Sequence, residues 1–234
     1  MTLIRFVSGN APLYIVAFSV FIFVILFFAS LGGAFHAYLK AMIGDRDALD
    51  AGFGSLNPFM HMDMLLVGLF LLTKVLIKKY QPFSWRWDYG VKGSMQRFLY
   101  VFATPMLHLF IASIILFFSV KYFGFKFFEF AISTPLSPSI ELIKSVKLLV
   151  GMSSYKIIMM LFSLYSIVTN MFLAIIDLFI HFSEYVLYTY IFPHESNPWA
   201  IFLCYIALIF IFALCINFIT LLCWRMISFP LSFI

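Results

Sequence analysis

Charge is scarce in this chain. Its 234 residues include 15 Lys and Arg and 10 Asp and Glu, so 11% of positions are charged while 64% are hydrophobic. A soluble globule of this length cannot cover its surface with so few polar groups, and a mean hydropathy of +1.06 assigns the chain to a bilayer. Cysteine is scarce too. Cys204, Cys215 and Cys223 share one apolar stretch, with no CxxC or Cys/His spacing, which argues against a disulfide framework or a thiolate metal site. Repeats, low-complexity tracts and flexible linkers are missing, so residues 1–234 read as a single transmembrane domain with no room for an added soluble one. No cleavage site follows the first apolar stretch, which begins near Ala11 and reads as a retained span. The excess of positive charge is small, and its Lys and Arg flank apolar segments. That arrangement suits membrane lipids with anionic headgroups and excludes nucleic acid as a partner.

What is abundant is apolar sequence, including 32 Phe residues. Apolar segments run over about 11–43, 62–77, 98–120, 156–192 and 199–230. The expected architecture is all-α, a polytopic integral membrane helix bundle of about five or six transmembrane segments at roughly 20 residues each. The 156–192 segment would be roughly 55 Å long as one helix at about 1.5 Å per residue, against a hydrocarbon core of about 30 Å. It must therefore tilt, break or project from the membrane. Between the second and third segments, Lys74, Lys78, Lys79, Arg86, Lys92 and Arg97 stand against Asp88 alone, with Trp85 and Trp87 interleaved. This is the pattern of a cytoplasmic-side interfacial loop.

The most polar run, "GDRDALDAGFGSLNPFMHMD" at residues 44–63, directly follows "LGGAFHAYLKAMI". Its spacing resembles the small bacterial intramembrane zinc metalloproteases of the site-2 protease family, in which an HExxH helix precedes a GDPTAKxAGRLTLNPLxHID-like stretch. Gly44, Asp45, Ala48, Gly52, Leu56, Asn57, Pro58, His61 and Asp63 fall at the family's positions without a gap. "FATPMLHLFIA", residues 102–112, resembles the family's ALAGPLSNLLLA, keeping Ala103 and Pro105 and replacing the Asn with His108. "NMFLAIIDLFIHFSEYV", residues 170–186, is similar to NLVLAVFNLLPIPPLDG at Asn170, Leu173 and Ala174.

The resemblance also identifies what has been lost. A zincin-type site needs two His at i and i+4 and a Glu beside the first His to take a proton from the metal-bound water. Here HExxH reads GGAFH: His36 keeps the second ligand position, while Gly32 and Gly33 replace the first ligand and the base. Tyr185 stands where the resemblance puts the third ligand, and Val186 replaces the Gly after it. One His cannot hold a catalytic zinc, so no metal or other cofactor is expected. The glycine pair reads as a smooth face for close helix packing. Asn57, Pro58, His61 and Asp63 read as structural support, since Asn-Pro and Asp side chains fix local turns.

Asp177, His181 and Glu184 follow at i, i+4 and i+7, a polar stripe extended by Asn170 and Tyr188. Ionisable groups in an apolar segment are costly and face a bundle interior, a cavity or a partner. The stripe is either a rebuilt metal or proton site involving His36 and His108, or a mutually neutralising set buried against a partner helix or lying above the membrane. The function these features imply is that of a catalytically inactive site-2 protease-like subunit. It would bind transmembrane helices of other proteins within a hetero-oligomeric complex, in a bacterial or organellar inner membrane. The alternative is a diverged intramembrane metalloprotease with a non-standard metal site.

Overall fold

The structure is a computed structural model that describes residues 2–62, 94–133, 140–150, 153–186 and 219–226. All regular structure within these residues is helical. The elements are α1 (Thr2–Met42), α2 (Asp47–Asp50), α3 (Pro58–His61), α4 (Ser94–Phe123), α5 (Lys126–Ser133), α6 (Ile140–Val150), α7 (Ser154–Val186) and α8 (219–226). Three stretches are long and apolar enough to cross a membrane: Pro12–Met42 in α1, Phe98–Phe123 in α4 and Ser154–Phe182 in α7. The expected 62–77 segment and the basic 74–97 loop lie almost entirely outside the described residues. So do most of 199–230, with Cys204 and Cys215, and everything from 187 to 192.

Side-chain pairs set the topology. Phe21 meets Tyr165 edge-on at 5.2 Å, and His36 stacks on His181 at 3.9 Å, so α1 and α7 run parallel with a nearly constant offset. His36 bonds Thr104, and Gly32 abuts His108, so α4 runs antiparallel to α1. The core draws on α1, α4, α5, α6 and α7, with Phe21, Leu116, Phe127, Ile143 and Leu164 all buried, and also takes in Cys223 of α8. On α1, buried Ala17, Phe21, Val24 and Phe28 recur at three- and four-residue spacing, while Phe23 and Phe27 point outward. The α7 helix is continuous over its 33 residues, so the long segment is unbroken through Val186.

Local chemistry explains where the elements stop. Gly44, with φ 106°, ends α1: its N–H bonds Ala41 O at 3.1 Å and the Asp45 N–H bonds Lys40 O at 2.9 Å. This pair of bonds satisfies carbonyls that the helix end would otherwise leave open, and it needs the left-handed backbone glycine adopts freely. Gly124, at φ 86°, ends α4 through a bond from its N–H to Val120 O at 2.8 Å. α3 begins with Asn57 as N-cap, its Oδ1 accepting from the Phe59 N–H at 3.0 Å, and with Pro58 in the first turn.

Candidate functional site: a buried imidazole cluster

The loop that follows α1 folds back onto it. Ala48 and Phe53 pack on Ala37, and Gly54 sits beside Leu49 and Tyr38. Asp45 Oδ1 accepts from the Asp47 N–H at 3.1 Å, and the His61 Nε2–H donates to Ser55 O at 2.7 Å. Irregular backbone beside apolar helices persists when its polar groups are satisfied within the protein, and the bonds of Asp45, Asn57 and His61 do this for part of the loop. Asp63 lies outside the described residues.

His61 is buried, and its ring rests against Gly33. A Cβ at Gly33 would overlap His61 Nδ1, and a Cβ at Gly32 would overlap His108 Nε2. The small-residue face expected here is present, but it receives two imidazole rings rather than the backbone of a neighbouring helix. The two positions that the HExxH pattern would give to a ligand and a base are thus filled in space by histidines from α3 and α4.

Around them lies a continuous polar lining. His36 Nδ1 is 3.0 Å from Thr104 Oγ1, and the His36 and His181 rings stack within 10° of parallel. Tyr100 closes the group, with its ring 5.3 Å from His36 and 5.5 Å from His181. Lys40, one turn beyond His36, is buried with its Nζ 5.9 Å from the centre of the Tyr100 ring, so it brings an amine to the loop end of the cluster. His108 is fully buried: Nδ1 lies 2.8 Å from Asn170 Oδ1 and Nε2 lies 3.4 Å from Asp177 Oδ2. Asn170 Nδ2 in turn donates to Ser166 O at 2.8 Å.

The stripe on α7 therefore turns inward at the two residues whose side chains are described. Asp177 is 1% exposed and His181 8%, both facing α1 and α4. The outward, partner-facing orientation expected for them does not hold, because the chain's own helices supply the polar contacts that lipid would deny. Glu184 and Tyr185 lie on the described backbone of α7, but their side chains are outside what the structure describes. Among the described residues, no group of three or more His, Cys, Asp or Glu side chains is placed to hold a metal ion.

Tyr100, Thr104 and Lys40 belong to this site and were not picked out by sequence reasoning. Their signal is periodic: Tyr100, Thr104 and His108 recur every four residues on α4, as do Gly32, His36 and Lys40 on α1. Comparison with known protein families, characterised proteins and solved structures returns no match to this chain.

Proposed function

We propose that this chain is a non-catalytic, site-2 protease-like membrane protein of five or six transmembrane segments that acts as an accessory, assembly or scaffold subunit. Its role is to bind transmembrane helices of a partner complex in a bacterial or organellar inner membrane. The observation that carries this reading is the filling of the Gly32 and Gly33 positions. His108 and His61 occupy the space beside those glycines, and each ring is committed to a protein acceptor, Asn170 or the Ser55 carbonyl. A water-activating centre needs an open coordination position and a free base there. A helix-binding scaffold needs neither, since recognition and hydrolysis reside in different residues.

The binding surface lies on the outer faces of α1 and α4. Phe23 and Phe27 stack at 6.0 Å on α1, while Phe110 and Phe118 on α4 are 63% and 65% exposed. Photocrosslinking residues placed at Phe27 and Phe118 in native membranes, followed by mass spectrometry, test the reading. Recurrent adducts to one or a few membrane proteins are expected. Adducts to lipid alone, or hydrolysis of a membrane-embedded peptide by the purified chain, would overturn it.

A further inference from the structure

We infer that α5, α6 and the adjoining ends of α4 and α7 form a surface that binds the headgroups of anionic phospholipids at one end of the bundle. The α4 span stops at Phe123 and the α7 span starts at Ser154, so both short helices lie between two membrane crossings. With 8 and 11 residues, α5 and α6 reach about 12 and 17 Å at about 1.5 Å per residue, well short of a hydrocarbon core of about 30 Å. Neither can cross. They stay on one side of the bilayer, at its boundary.

Each of the two helices has an inner and an outer face. Phe127 and Ala131 of α5, with Leu142, Ile143 and Val146 of α6, are buried in the bundle core. On the outer faces large apolar groups stand among charged ones: Phe125, just before α5, is 62% exposed and Leu148 of α6 is 87% exposed, with Lys126 and Lys144 exposed beside them. Water suits the lysines and opposes Phe125 and Leu148, while acyl chains do the reverse. The headgroup boundary suits both, because apolar side chains enter the acyl region and ammonium groups on long stems reach the phosphates. Tyr122, in the last turn of α4, and Tyr155, in the first turn of α7, are exposed at the same level, where aromatic rings with a polar tip collect.

Charge selects the lipid. Residues 121–156 carry Lys121, Lys126, Lys144, Lys147 and Lys156 against Glu129 and Glu141 alone. The fold brings a further cation from far along the chain: Arg225 follows Trp224, whose ring meets Phe128 edge-on at 6.3 Å. Lys121 Nζ lies 5.2 Å from the centre of the Phe117 ring, which keeps its ammonium group against the last turns of the α4 span. Pairing within the protein can neutralise two of these cations at most, since only two carboxylates stand among them. A zwitterionic headgroup brings its own cation and gains little here. A headgroup of net negative charge is attracted by about fivefold for each lysine close to it. The surface is independent of the proposed binding of partner helices, and either can fail without the other.

The test reconstitutes the full chain in nanodiscs of equal parts phosphatidylcholine and phosphatidylglycerol, with each lipid in turn carrying a photoreactive headgroup, and maps the adducts by peptide mass spectrometry. Phosphatidylglycerol adducts should concentrate within residues 121–156, exceed those of phosphatidylcholine severalfold, and decline as salt screens the charges. Combining Lys121→Gln, Lys126→Gln and Lys156→Gln should lower this preference about tenfold or more, while Arg at the same three positions keeps it. Equal labelling by the two lipids, or an unchanged preference in the Gln variant, overturns the assignment. In native membranes, a photoreactive residue at Leu148 should label lipid; recurrent adducts to one protein instead would give the surface to a protein partner and overturn it as well. Should the Gln variant fail to fold, the distribution of adducts on the wild type still decides.

Discussion

The same three helices build two unlike halves. Toward the start of α1, the contacts are Phe21 on Tyr165, with Leu116, Leu161 and Leu164 packed around them. Toward its end, the contacts are imidazoles, an amide, a hydroxyl and a carboxylate: His36, His181, His108, Asn170, Thr104 and Asp177. In the first half adhesion comes from close packing, and any apolar group of similar volume serves nearly as well. In the second, directed contacts tie the helices, His36 to Thr104 and His108 to Asn170, and removing one partner orphans the other. The apolar half therefore sets how firmly the helices cohere, and the polar half sets their register.

The comparison can be broken at several points. Gly32→Val should have the largest effect, because the new side chain must displace a buried imidazole held at Nδ1 by Asn170. Overpacking and an orphaned buried group together cost about 4 kcal/mol, read as lost folded protein in mixed micelles. Next comes Leu164→Ala in the apolar half, where a cavity costs about 3 kcal/mol by the same measurement. Asn170→Ala strips the acceptor from His108 Nδ1 and should cost about 2 kcal/mol, with a change in the His108 NMR signal that Leu164→Ala does not produce. If Asn170→Ala were silent, the polar half would not be a tied network. The smallest effect is expected outside both halves: Asn57→Ala removes the cap of α3 for about 1 kcal/mol and should loosen amide protection at Phe59.

Much of this was legible in the sequence, for reasons particular residues make clear. The three long helices announce themselves by uninterrupted apolar length, and the turn between α1 and α3 by Gly44 and Asn57-Pro58, whose backbone preferences are local. The α7 stripe was visible because helical spacing alone places Asn170, Asp177 and His181 on one face. The direction in which that face points was not visible, since it depends on what α1 and α4 offer opposite it. For the same reason Gly32 and Gly33 read as a helix-packing surface. That they receive His108 and His61 is a fact of tertiary register, set by residues some 75 and 30 positions away in sequence. Lys40 was the least legible: a lysine at a helix end ordinarily reaches water, and here it is buried beside Tyr100.

The end of α1 holds a hydrogen-bonded core of imidazoles, an amide and a hydroxyl, and we propose that it stands where a zincin would hold its metal. Elemental analysis of the chain purified from membranes, without added metal or chelator and alongside His36→Ala, tests it most directly. No stoichiometric zinc is expected in either protein. One zinc per chain in the wild type, lost in His36→Ala, would contradict it.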